Sequence, residues 1–306
     1  MMMGGLSQNP PIYGAVNMLQ GLFVPNFTVF NKNNSVDYAA TLNHAEWLVG
    51  HGVSGLVPFG TFGEGASLSF YEREKLLTSL VSKNLKIQII PTIISNSFGE
   101  ISETIALTNS LPVQAVLVIP PSYFRPIPDE DLISYYKNVI ALSKHPIIAY
   151  NIPWCSITIP PHVVRDSGAW GIKDSSGDIN SAQGYLSHGV RLLMGSDVLV
   201  AEAVKRGANG GICGLGNIFP STFRKVYELA ASGSVQEAEQ LLEVAHIALR
   251  QFLNPGKGNF ENIAQAKIAA EYIGLIPSRI MRTPLPLLEI PSNNLKKFAE
   301  LARELS

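Results

Sequence analysis

Lys173 is the residue whose type and place point most directly to chemistry. It follows Ala169-Trp170-Gly171-Ile172, a short apolar run that ends at the lysine. A lysine lining a desolvated strand end has its ammonium form disfavoured, and the free amine adds to a carbonyl to give a Schiff base. The protonated imine then acts as an electron sink for making or breaking the adjacent C–C bond. An ion pair between Lys173 and Asp174 is the plainer alternative. Tyr150 closes the apolar run one unit earlier, so its phenol falls near the same centre and can relay protons. Buried tyrosines also simply hydrogen-bond a neighbour. The turn Gly60-Thr61-Phe62-Gly63 can offer backbone N–H groups to an anion such as a carboxylate, while a tight turn needs glycine in any case. Thr61, Tyr123, Ser175, Gly195 and Asp197 stand at or just after the ends of other such runs.

These residues meet only if the elements between them bring all the run ends to one rim. Short β-branched runs cover 22–27, 55–59, 87–93, 115–119, 146–151, 170–173, 191–194 and 210–213. Most lack in/out alternation, as expected of parallel strands covered on both faces. Amphipathic stretches separate them. Asn34 or Ser35 is placed to cap a helix over 36–49, and Ser69 with Glu72 forms a capping box ahead of a Leu76, Leu77, Leu80, Val81 stripe. Further helices are expected over 99–110, 129–143, 179–187, 198–206 and 220–231, with a short one around His162.

Eight strand-helix units predict an α/β fold, a closed (β/α)8 TIM barrel, in which reacting groups sit at the carboxyl ends of strands. The alternative, a doubly wound open sheet, calls for a G-x-G-x-x-G turn where Phe27-Thr28-Val29-Phe30 stands. Helices over 234–252, 260–272 and 293–305 then form a C-terminal extension. The expected organisation is an N-terminal segment 1–20, a barrel 21–233 and a helical extension 234–306.

Composition excludes several other functions. With 23 Lys and Arg against 24 Asp and Glu the net charge is −1, so there is no basic field for nucleic acid or an anionic membrane. Only 15% of residues are charged and 46% are hydrophobic, which favours a large core or a self-associating surface. Cys155 and Cys213 lack Cys-x-x-Cys spacing and read as buried thiols. The six histidines show no close metal-ligand spacing, so no metal is expected. With no basic segment before an apolar run at the N-terminus, and no run of about 18 apolar residues, a cytoplasmic protein is expected.

Taken in order, the motifs resemble the Schiff-base, pyruvate-dependent class I aldolases related to dihydrodipicolinate synthase and N-acetylneuraminate lyase. Gly60-Thr61-Phe62-Gly63-Glu64 is similar to the family's Gly-Thr-Thr-Gly-Glu loop, and Pro121-Ser122-Tyr123 to its Pro-Tyr-Tyr loop. Tyr150-Asn151-Ile152-Pro153 is similar to its Tyr-Asn-x-Pro, Gly171-Ile172-Lys173-Asp174 to its lysine strand, and the segment from Gly210 to Asn217 to its eighth strand. The resemblance implies an imine between Lys173 and pyruvate or another 2-oxo acid, with an aldehyde as the second partner and no cofactor beyond that covalent imine. It implies a Tyr150 and Thr61 proton relay completed by Tyr123 of the partner subunit, hence a homodimer or homotetramer. The carboxylate would lie on the backbone and hydroxyl of Thr61 and the amide of Phe62, with Ile212 against the pyruvate methyl.

Departures from the pattern bear on the second substrate. Cys155, preceded by Trp154, stands where dihydrodipicolinate synthases place an arginine for a carboxylate, and a thiol cannot replace a bidentate guanidinium. Phe62 replaces a second threonine. Gly195, Asp197 and Ser175 match polyol-holding positions of the sialic acid branch, but Val198 and Gly214 replace its glutamate and serine. The favoured partner is therefore a 2-keto-3-deoxy sugar acid or similar hydroxy-2-oxo acid, with condensation of pyruvate and aspartate semialdehyde as the alternative. A phosphate-binding barrel built on the glycine-rich 207–216 segment, and a non-catalytic barrel that binds a 2-oxo acid, are the remaining readings.

Overall fold

Nine short strands build the core of the protein: β1 (Gly21–Val24), β2 (Gly55–Leu56), β3 (Gln88–Ile89), β4 (Thr92–Ile93), β5 (Val116–Val118), β6 (Ile147–Asn151), β7 (Gly171–Asp174), β8 (Leu192–Met194) and β9 (Gly210–Ile212). The computed structural model describes residues 19–252, 260–285 and 288–305, so most of the segment expected over 1–20 lies outside the described residues. Every strand pair is parallel, in the order β3-β2-β1-β9-β8-β7-β6-β5-β4. The two ends of that order, β3 and β4, are halves of the single run expected over 87–93. They part at Pro91, which has no N–H for the ladder. Hydrogen bonding continues across the break: the Ile90 and Thr92 amides donate to Leu56 O and Pro58 O, each at 2.9 Å, and the Leu117 amide donates to Pro91 O at 2.9 Å. The sheet therefore closes on itself as a (β/α)8 barrel.

Eight helices cover it: α1 (Tyr38–Gly50), α2 (Phe70–Ser82), α3 (Phe98–Asn109), α4 (Asp129–Leu142), α5 (Pro161–Ser167), α6 (Ile179–Ser187), α7 (Val200–Lys205) and α8 (Pro220–Ala231). The Ser69 and Glu72 capping box forms as expected at α2. At α1 the sequence reading needs correction, because neither Asn34 nor Ser35 is the cap. Asn34 adopts a left-handed φ of 62°, and the Ser35 hydroxyl is spent on Asn31 and Asn33 in a turn closed by a Phe30–Val36 bridge. The helix starts later, with Asp37 accepting from the Ala40 amide at 2.9 Å.

Alternation along each strand decides what faces the barrel axis. Phe23, Val57, Leu117, Ile148, Tyr150, Leu193 and Ile212 form an inner apolar cluster, whereas Ala149, Ile172 and Cys213 belong to the outer layer under the helices. In β7 the same alternation turns Lys173 inward and Asp174 outward.

Three helices follow, α9 (Val235–Phe252), α10 (Glu261–Tyr272) and α11 (Ser292–Leu305). Ala238, Leu242 and Ala245 of α9 and Leu295 and Phe298 of α11 join the outer cluster of the barrel. Phe298 is fully buried with its ring 5.9 Å from that of Phe219, which at about 2–3 kcal/mol for a buried aromatic is a substantial tie to the barrel of the same chain. Helix α10 is buried along eight consecutive positions, Ile263 to Ala270. Among the described residues no helix is long and apolar enough to cross a membrane.

Candidate active site

Strands β6 and β7 pair with Tyr150 opposite Lys173, and both side chains enter the barrel at its carboxyl end. Lys173 is only 4% exposed, and its Nζ lies 4.2 Å from the centre of the Tyr150 ring. The Tyr150 hydroxyl and Thr61 Oγ1 are 3.1 Å apart, and either can donate. Asp174 does not pair with Lys173. Its carboxylate accepts from Asn151 Nδ2 at 2.7 Å and from the Ser176 amide and hydroxyl at 3.0 Å, outside the barrel interior. The ion-pair reading of Lys173 and Asp174 is thus overturned by strand alternation.

A cavity of about 270 Å³ opens above this group. Thr61, Phe62, Tyr150, Lys173, Ser175, Gly195, Asp197 and Ile212 all line it, so the structure gathers most of the sequence-predicted site residues on one wall or another. Trp154, Ser196, Gly214, His246 and Asn262 also line it. Gly195 is fixed by close approach: a Cβ there would fall 2.1 Å from Ser175 Oγ and 3.1 Å from Lys173 Cε. Asp197 reaches the cavity surface, yet its carboxyl is packed against protein, and that burial pushes its pKa up to about 6. The Leu215 amide, donating to Oδ1 at 3.2 Å, the Lys173 charge and the Cys213 thiol pull the other way.

Tyr123 and Cys155 are not brought into this cavity. Tyr123 is 81% exposed, its ring set edge-on to Phe124, on a loop held by Asn96, whose Oδ1 accepts from the Ser122 and Tyr123 amides at 2.8 and 2.9 Å. Cys155 lines a second, more apolar cavity of about 450 Å³ on the other side of Thr61, with Ile94, Ile119 and Ile152, and burial pushes its thiol up to about 11. Among the described residues, no three His, Cys, Asp or Glu side chains are grouped to hold a metal ion.

Residues 18–304 match the model of the dihydrodipicolinate synthetase family. The chain belongs to that family. It is 30% identical over 289 residues to the 4-hydroxy-tetrahydrodipicolinate synthase of Shewanella piezotolerans, covering 90% of this chain and 94% of the relative. It is 27% identical over 298 residues to the enzyme of the same name from Methanosarcina barkeri, covering 94% and 99%. In fold it is similar to the sialic acid aldolase of Ruminococcus gnavus (TM-score 0.85, 20% identity, 94% of this chain and 97% of that one). It is also similar in fold to a 2-keto-3-deoxygluconate aldolase from Sulfolobus (TM-score 0.80, 21% identity, 93% and 95%). Membership of the dihydrodipicolinate synthetase family makes the protein a lyase of the Schiff-base, class I kind.

Sequence reasoning missed how this member of the dihydrodipicolinate synthetase family holds its Thr61–Phe62 turn. Phe59 and Glu64 both adopt left-handed φ, 65° and 52°, at the two ends of the turn, conformations that cost about 1–3 kcal/mol each and persist only when the surroundings hold them. Thr28 Oγ1 donates to Gly63 O at 2.7 Å. Glu64 is fully buried and paired with fully buried Lys267 of α10, whose Nζ also donates to Thr28 O at 2.8 Å and Ile280 O at 3.1 Å. Burial lowers the pKa of Lys267, and the Glu64 carboxylate opposes that shift. Fully buried Asn217 ties the Phe27 amide, Pro25 O and Gly214 O together with its side chain, and its backbone carbonyl receives Nε2–H of His44 at 3.1 Å. Burial lowers the His44 pKa to about 4, so the ring is neutral and donates from Nε2. One sequence signal for Lys267 is the run Ile263 to Ala270, in which alanines and isoleucines flank the lysine on both sides, because a lysine held among such residues needs a partner.

Proposed function

We propose that the protein is an aldolase that forms an imine between Lys173 and a 2-oxo acid and cleaves or forms a C–C bond to a hydroxylated partner of the 2-keto-3-deoxy sugar acid type. The observation that carries this reading is the placement of Lys173 against Tyr150, itself hydrogen-bonded to Thr61, at the floor of one cavity. In the cleavage direction the Lys173 amine adds to C2 of the substrate and water leaves, giving a protonated imine. The C4 hydroxyl then loses its proton to the Tyr150 and Thr61 relay while the C3–C4 electron pair moves to the imine. An aldehyde departs and an enamine remains. Protonation at C3 and hydrolysis return pyruvate and the free lysine. No hydrogen bond among the described residues uses the amides of Thr61 or Phe62, which leaves both for the substrate carboxylate. Ile212 packs beside the methyl carbon. Tyr123 is then supplied to the relay of a second copy, in a homodimer or homotetramer.

Asp197, Ser175 and Ser196 supply hydrogen-bonding groups for a hydroxylated acceptor, and among the described residues no guanidinium lines the cavity to receive a second carboxylate. A second reading, condensation of pyruvate with aspartate semialdehyde, is favoured by the names of the 27–30% identical relatives. The deciding assay offers 2-keto-3-deoxy sugar acids and follows pyruvate release, and separately offers pyruvate with aspartate semialdehyde and follows pyruvate consumption. Pyruvate release from the sugar acids is expected. Turnover confined to aspartate semialdehyde replaces the first reading with the second, and no turnover or imine with either set removes both.

A further inference from the structure

Phe62 occupies the cavity wall in a way its backbone role does not require. Its ring sits directly on Gly214: a Cβ at that glycine would lie 2.3 Å from both Cε2 and Cζ of the ring, far inside contact distance. The ring is also stacked on Phe27, with centroids 6.3 Å apart and planes inclined by 30°, and packs against the buried cluster of Ile263, Ala264 and Met281. It is therefore a fixed wedge between the end of β9, the loop after β1 and α10. The side chain fills space that the missing side chain of Gly214 leaves open, at the edge of the cavity that also holds Ser175 and Asp197. What remains, about 270 Å³, lies below the roughly 300–1,000 Å³ of sites that take drug-sized ligands.

We propose that Phe62 and Gly214 form a paired size gate that limits this lyase to short acceptors, the ring acting as the stop and the glycine as its seat. The inference rests on the aldolase reading above and adds to it the residue pair that sets acceptor length. Ser175 and Asp197, whose carboxylate accepts from the Leu215 amide beside Gly214, hold the hydroxyls of a short chain, while a longer chain meets the ring. Gly214 has no tolerance for a side chain so long as Phe62 is present, so the two positions are coupled.

The test measures kcat/KM for pyruvate release from 4-hydroxy-2-oxo acids of increasing chain length in wild type, Phe62→Ala, Phe62→Leu, Gly214→Ser and the Phe62→Ala/Gly214→Ser double variant. Borohydride trapping of pyruvate is run in parallel on each. Phe62→Ala is expected to raise the long-to-short ratio by about tenfold or more, the scale on which pockets discriminate by chain size, with Phe62→Leu intermediate. Gly214→Ser alone is expected to depress turnover of every acceptor, and Phe62→Ala to cancel most of that loss, so the two effects do not multiply. An unchanged ratio in variants that still trap pyruvate overturns the gate. Independent, multiplying effects overturn it as well. So does a folded Phe62→Ala that no longer traps pyruvate, because the ring would then serve the 2-oxo acid rather than the acceptor. Should Phe62→Ala not fold, Phe62→Leu, which keeps the apolar packing, carries the same test. Failure of wild type to trap any 2-oxo acid is a separate result, and removes the aldolase reading instead.

Discussion

Lys173 and Lys267 are both withdrawn from water, and their surroundings differ in kind. Lys267 is enclosed by a carboxylate, Glu64, and two backbone carbonyls, Thr28 O and Ile280 O, so its charge is matched from every side. Lys173 has an aromatic face at 4.2 Å and a cavity above it, while the neighbouring Asp174 is turned away to Asn151 and Ser176. A buried lysine saturated with partners is a structural tie. One left facing a cavity is free to form a covalent bond. The two are linked, because Glu64 ends the turn whose Thr61 meets Tyr150 beside Lys173.

Substitution separates the two roles. Lys173→Ala should reduce both imine trapping and turnover to background while leaving the urea midpoint close to wild type, since no ion pair is lost. Tyr150→Phe removes the contact to Thr61 and should slow turnover by roughly 10²–10⁴ while some trapping persists. Lys267→Met leaves the Glu64 carboxylate buried without its cation and should cost about 3–5 kcal/mol of stability by urea unfolding, with trapping retained in the folded fraction. Adding Glu64→Leu should recover much of that stability. A Lys267→Met protein that is as stable as wild type but cannot form an imine would reverse the assignment of roles.

The smallest effect belongs to the cavity wall. Asp197 ionises near pH 6 rather than in the ordinary carboxyl range, because burial disfavours its charge. Below that pH it is a neutral donor, and above it a charged acceptor for substrate hydroxyls. KM for hydroxylated substrates should therefore fall as pH rises through about 6. Asp197→Asn should flatten this inflection and weaken such substrates by roughly tenfold at pH 8, the scale of one hydrogen bond to a charged group. A pH profile of KM unchanged in Asp197→Asn would place the inflection elsewhere.

Much of this arrangement was legible in the sequence, for physical reasons that also mark where reading stopped. Parallel strands buried on both faces produce continuous apolar runs, so the eight units and the lysine and tyrosine at their ends stood out. The fold also agrees with local signals such as the Ser69 and Glu72 box. The cap of α1 was misplaced because Asn34 and Ser35 are good capping residues used in a turn instead, and only Asp37 lies where the helix starts. Glu64 and Lys267 are 203 positions apart, and no local pattern announces a pair that the closed barrel creates. The Phe62 and Gly214 contact was hidden for the same reason. Each looked like an unrelated departure, although they compensate each other in space.

The most direct test is to treat wild-type protein with pyruvate and borohydride and map the modified peptide by mass spectrometry. One reduced pyruvyl group on the peptide containing Lys173, absent in Lys173→Ala and retained in Lys267→Met, is the expected result. Labelling at Lys267, or no labelling by pyruvate or larger 2-oxo acids, would contradict the division between the structural and the reactive lysine.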